Sequence, residues 1–136
     1  MGGRGKWSMP TADGFTWYDY HKVYEDEDVH ILVQHSHNES GPSSPVMSKT
    51  PDVTYMLLND KDEPKCIGIY KDRIKQFDID LDKFHQGIKP HVHHCDEHGH
   101  RLPNEPIEDM IPSKHEQQII DKVSKIYSKY KKELEK

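Results

Sequence analysis

Between His85 and His100 the chain reads H-Q-G-I-K-P-H-V-H-H-C-D-E-H-G-H. Six of its 11 histidines and Cys95, one of its two cysteines, fall within those 16 residues. Asp78-Ile79-Asp80-Leu81-Asp82 stands just upstream. Imidazole titrates near neutral pH and is a common metal ligand, so acid/base or metal chemistry is to be sought here. Pro90 keeps Lys89 extended and so starts His91-Val92-His93 as a strand-like segment. Side chains alternate along a strand, which puts His91 and His93 on one face of it. Asp78 and Asp80 share a face of their own segment by the same rule. If the two segments pair, two carboxylates confront two imidazoles.

Two chemistries fit that arrangement. In the first, His91 and His93 are a general acid/base pair and Asp78 or Asp80 fixes the tautomer of one of them. Cleavage of a phosphodiester by an RNA 2′-hydroxyl needs little more than this and a cation for the phosphate. Lys89, Arg73, Lys75 and Arg101 are the cations at hand, and no cofactor is required. In the second, His91 and His93 bind a divalent metal with further donors drawn from Asp78, Asp80, His85, His94, Cys95, His98 and His100. The set His91, His93, His94 and Cys95 is the compact version. Zinc takes three or four such ligands in a tetrahedral site. No closed zinc motif is present, neither Cys-x2-Cys nor His-Glu-x-x-His. Both chemistries remain open at this level. His98-Gly99-His100 reads as a turn, Asp82 as a strand-end residue, and His35-Ser36-His37 as a second His-x-His pair.

The elements that must position these residues are modest. A chain of 136 residues is one domain by length. With 32% hydrophobic residues and a mean hydropathy of -0.99, its core is thin. A net charge of -5 gives no global case for gripping a polyanion or a membrane surface. Two cysteines make no disulfide framework. No signal-peptide-like or membrane-spanning apolar run is present, and the chain is expected to act in the cytoplasm.

Residues 1–14 read as a flexible linker and 15–136 as a single domain. Phe15–Tyr20 and Val29–His35 read as strands of a hairpin, with Tyr24–Asp28 an acidic turn. Ser36–Pro51 is a long loop by composition. Val53–Leu58, Lys65–Tyr70 and Arg73–Leu81 read as an antiparallel meander. In the last of these Phe77, Ile79 and Leu81 face the core, while Gln76, Asp78 and Asp80 face away. Leu102–Pro112 is a proline-rich loop. Ser113 and Glu116 open a helix with a capping box. Its apolar stripe runs through Ile119, Ile120, Val123, Ile126, Tyr127, Tyr130 and Leu134. Lysines 122, 125, 129 and 132 form its solvated face. The expected class is α+β, a small twisted antiparallel meander with a C-terminal helix packed on one face.

Ser44-Pro45-Val46-Met47-Ser48-Lys49-Thr50-Pro51, Thr54-Tyr55 to Leu58, Ile79-Asp80-Leu81-Asp82 and Lys89-Pro90-His91-Val92-His93-His94 together resemble a family of small domains in Firmicutes prophages. These are the toxin-like modules attached to phage minor head proteins and polymorphic toxins. Gly2-Gly3-Arg4-Gly5 is similar to the glycine-rich junction that precedes them. The resemblance covers roughly residues 40–132. It implies a nuclease-like activity on RNA in a compact α+β fold similar to the barnase–colicin–RelE ribonucleases. It also implies His91 and His93 as catalytic, Asp80 and His85 in support, a parent phage head protein, and an immunity or inhibitor protein as partner. Three function classes follow: an effector ribonuclease, a zinc- or nickel-stapled virion module without catalysis, and a metal-dependent hydrolase.

Overall fold

The computed structural model describes residues 6–9, 18–34, 44, 45, 47, 48, 50–81 and 90–135. Its strands are β1 (Lys6–Met9), β2 (Tyr18–Asp26), β3 (Val29–Gln34), β4 (Val53–Leu58), β5 (Pro64–Lys71), β6 (Ile74–Asp80) and β7 (His91–His94). Two helices follow, α1 (Ile107–Met110) and α2 (Lys114–Leu134). The strands form one sheet in the order β1-β2-β3-β4-β5-β6-β7, and the class is α+β. No helix among the described residues is long and apolar enough to cross a membrane.

Every neighbouring pair is antiparallel except β3 and β4, which are parallel. The sequence points to a purely antiparallel meander, and the long stretch between Gln34 and Val53 explains the difference. A parallel pair needs a crossover of a dozen or more residues, and that stretch supplies it. Its end is tied down: Met47 bridges Ile74, and the Ser48 N–H donates to the Arg73 carbonyl at 2.8 Å.

Three local readings shift. Lys6–Met9 pair with β2 where composition points to a linker. β2 runs on to Asp26, so the acidic turn shrinks to Glu27 and Asp28, with Glu27 at φ 54°. Leu102–Pro112 contains the single turn α1. Of the hairpin strand placed at Phe15–Tyr20, only Tyr18–Tyr20 lie within the described residues.

The sheet is covered on both faces, not on one. Val29, Ile31, Met56, Leu58, Ile67, Ile79 and Val92 pack with Ile120, Val123, Ile126 and Tyr130 of α2. Each fully buried aliphatic side chain of this kind stabilises the fold by roughly 1.5–3 kcal/mol, which docks the amphipathic helix. The second face carries Tyr20, Leu32, Val53, Tyr55, Leu57, Cys66 and Tyr70. All six residues of β4 are buried, as suits a central strand with both faces covered.

α2 starts where Ser113 and Glu116 predict it. The Ser113 hydroxyl accepts the Glu116 N–H, and the Glu116 carboxylate accepts the Ser113 N–H. Lys122 and Lys129 pair with Asp28 and Asp26, and the Tyr127 hydroxyl donates to the Asp62 carbonyl, so the helix is also pinned to two turns of the sheet.

Candidate metal centre

β6 and β7 form the last ladder, and its register decides the site. Asp80 stands opposite His91 and Asp78 opposite His93. Ile79 and Val92 of the same ladder lie in the helix-facing core. A one-residue slip would send both histidines into that core, so the apolar alternation fixes which face carries the chemistry.

Three donors then converge. The Asp80 Oδ2 lies 3.0 Å from the His91 Nε2 and 3.5 Å from the His93 Nε2. One ligand atom from each of Asp80, His91 and His93 fits within a 4.8 Å group. The two rings meet edge to face, with centroids 4.8 Å apart. Zinc-to-donor bonds of about 2.0–2.2 Å at tetrahedral angles separate neighbouring donors by roughly 3.3–3.5 Å. The observed spacings bracket that value.

The other oxygen of Asp80 is held from outside. Arg101 Nη2 lies 3.5 Å from Asp80 Oδ1 and 3.1 Å from Asp78 Oδ1. A turn after β7 delivers this arginine. The Asp96 carboxylate accepts the N–H groups of His98 and His100, Gly99 takes φ 81°, and Arg101 bridges back to Cys95. His98 and His100 are therefore turn residues, exposed to solvent and outside the donor group.

Asp78 is committed elsewhere. Its Oδ2 accepts from Lys75 Nζ at 2.9 Å, and the same ammonium donates to the Ser44 hydroxyl at 2.8 Å. Strict alternation puts Lys75 on the face of Phe77 and Ile79. A bulge prevents this: Ile69 pairs with Phe77 and Tyr70 with Lys75, leaving Gln76 as the extra residue. Lys75 thereby turns to the Asp78 side, where it is 2% exposed. It is an internal counter-ion, not a surface cation awaiting phosphate. Arg73 sits in the β5–β6 turn, at the other end of β6 from Asp80. Lys89, His85, His35 and His37 lie outside the described residues.

The electrostatics follow from these contacts. Burial pushes the Asp80 carboxyl up, but the hydrogen bond to His93 and the charges of Arg101 and the two histidines outweigh it, holding it at about 2. Burial acts on Asp78 in the same direction, and Lys75 and Arg101 again bring it below the usual range. Both carboxylates are ionised at neutral pH. Burial raises the Cys95 thiol to about 11 and the Cys66 thiol to about 12. Ligation and nucleophilic attack both need the thiolate, so neither cysteine is primed for them.

The donor set drawn from sequence as His91, His93, His94 and Cys95 therefore changes. His94 points to the opposite face, beside Phe77, and is held between Glu105 and Glu116. Cys95 is not part of the convergent group. Asp80 takes their place, from a strand ten residues away that only the ladder register brings near. Sequence reading names Asp80 as a candidate third donor. It misses the Ser44–Lys75–Asp78 link, which depends on the bulge, and the clamp on His94, since Glu116 reads only as a capping residue.

Compared with protein-family models, curated proteins and solved structures, this chain matches none.

Proposed function

We propose that this chain is a metal-dependent hydrolase whose divalent ion, of the zinc class, is held by Asp80, His91 and His93. The observation that carries the reading is the convergence of three donors on one point while Arg101 occupies the outer oxygen of Asp80. Outer-shell partners of this sort orient ligating carboxylates. Three protein donors are the number typical of catalytic zinc sites, which keep a position for water; structural sites close with four. An ion held by Asp80, His91 and His93 would supply Lewis acidity there and make a water nucleophilic near neutral pH.

A metal-free histidine pair is less well served by this geometry. In-line displacement at phosphorus needs its acid and base near opposite ends of the reacting axis. Here both Nε2 atoms are drawn to the same carboxylate oxygen. The His91 side chain is 3% exposed, against 13% for His93, so only one imidazole is placed to meet a substrate.

The test is hydrolysis of mixed RNA and of a chromogenic phosphodiester by the purified chain, with chelator and with zinc or manganese restored, beside His91→Ala. Activity lost to chelator and recovered with ion supports the hydrolase. Activity that ignores chelator but disappears in the variant returns the protein to the metal-free ribonuclease reading. Ion binding without turnover of any substrate makes it a metal-stapled module.

A further inference from the structure

The charge balance around the proposed ion points to what binds there. Lys75 and Arg101 are cations, Asp78 and Asp80 are anions, and the four cancel. Neutral imidazoles add nothing, so a divalent ion leaves the site with two positive charges in excess. The partly open side is marked by Arg101, whose side chain is 45% exposed, against 1% for Asp78 and 16% for Asp80.

Arg101 spends only its Nη2 on the two carboxylates. Its Nη1 and Nε have no hydrogen-bond partner among the described residues. A guanidinium presents five N–H donors in a planar fork that matches phosphate and carboxylate oxygens. Held from one corner by buried carboxylates, this fork keeps its remaining edge fixed beside the metal ligands.

We propose that Arg101 and the ion on Asp80, His91 and His93 form a seat for a phosphoryl group, and that the substrate class is phosphoester. This deepens the metal reading and rests on it. The anion would meet the ion with one oxygen and the unused Arg101 donors with another. No long-range basic surface is required, which reconciles a phosphate ligand with a chain of net charge -5.

Inorganic phosphate and dimethyl phosphate serve as probes for monoester and diester sources. Each is titrated by calorimetry into the metal-free chain, the ion-loaded chain and ion-loaded Arg101→Lys, after ion uptake by each sample has been measured. The lysine variant keeps the charge that Asp78 and Asp80 need and loses the fork. Binding to the loaded wild type is expected, with roughly 10- to 100-fold weaker binding to the variant, the scale of one hydrogen bond to a charged group. Preference for dimethyl phosphate assigns a diester, and preference for inorganic phosphate a monoester. Ion uptake without anion binding, or equal anion affinity in Arg101→Lys, overturns the phosphoryl seat and leaves the metal centre standing. Absence of ion uptake overturns both.

Discussion

Asp80 faces His91 directly across the β6–β7 ladder, with its Oδ2 3.0 Å from the His91 Nε2. The contact is set by backbone register, not by a loop. The same ladder that buries Ile79 and Val92 against α2 therefore places the face that carries Asp80, His91 and His93. Core and site cannot be changed independently here, because a slip in one is a slip in the other.

Lys75 and Asp78 form an ion pair with both side chains almost wholly buried, at 2% and 1% exposure. Removing one partner of such a pair leaves a buried charge. Lys75→Met should cost about 3–5 kcal/mol in urea unfolding. Pairing it with Asp78→Leu should recover part of that loss. A cost below about 1 kcal/mol for the single variant would show that Arg101 alone satisfies Asp78.

Asp72 and Arg73 make a two-residue hairpin turn with φ 53° and 73° and no glycine. Both φ values are positive, as a type I′ turn requires, and Arg73 bears the strain of a Cβ there. Arg73→Gly should hold or raise stability by up to about 1 kcal/mol in thermal unfolding. It should leave ion binding unchanged, because the turn is remote from Asp80. A loss of ion affinity would bring Arg73 into the site.

Gly68 stands opposite Asp78 on β5, and a Cβ there would come 2.9 Å from the Tyr70 ring. That ring is buried and its hydroxyl donates to the Pro45 carbonyl, so it has little room to yield. Gly68→Ala should destabilise by about 1–3 kcal/mol, the usual range for overpacking. An unchanged melting temperature would show that Tyr70 and the Pro45 segment move together.

His30 carries the pH prediction. Burial lowers its pKa first, and Lys22 adds to that, against smaller opposing effects of Glu25 and Asp28. Its folded value lies below its unfolded value near 6.5, so the unfolded chain binds the proton more readily. The contribution is present above about pH 6.5 and is lost as pH falls through the folded value. Denaturant unfolding of wild type and His30→Gln from pH 8 to pH 5 should show the wild type losing more of its stability. Parallel curves would remove His30 from the account.

Much of this was legible in the chain. The alternation in Arg73–Leu81, the Pro90 break and the His-x-His spacing place Asp78, Asp80, His91 and His93 on a shared face, and Ser113 with Glu116 starts the helix. The rest depended on pairings that spacing does not encode. Nothing local marks Gln76 as a bulge, so Lys75 looks like a surface cation until the Tyr70–Lys75 pairing is seen. Val53, Tyr55 and Leu57 look like half of a two-faced strand only once Leu32 and Cys66 are known to flank them. The parallel β3–β4 pair was hidden in a loop whose length was its sole trace.

The central claim is an ion on Asp80, His91 and His93, and calorimetric titration of zinc into the wild type, Asp80→Asn and His93→Ala tests it most directly. One ion per chain is predicted for the wild type. Each variant should lose more than the roughly 10- to 100-fold in affinity that loss of an outer-shell partner costs. Zinc uptake that is equal in all three chains, or absent from the wild type, would contradict the account and leave Asp80 as a carboxylate in contact with two histidines.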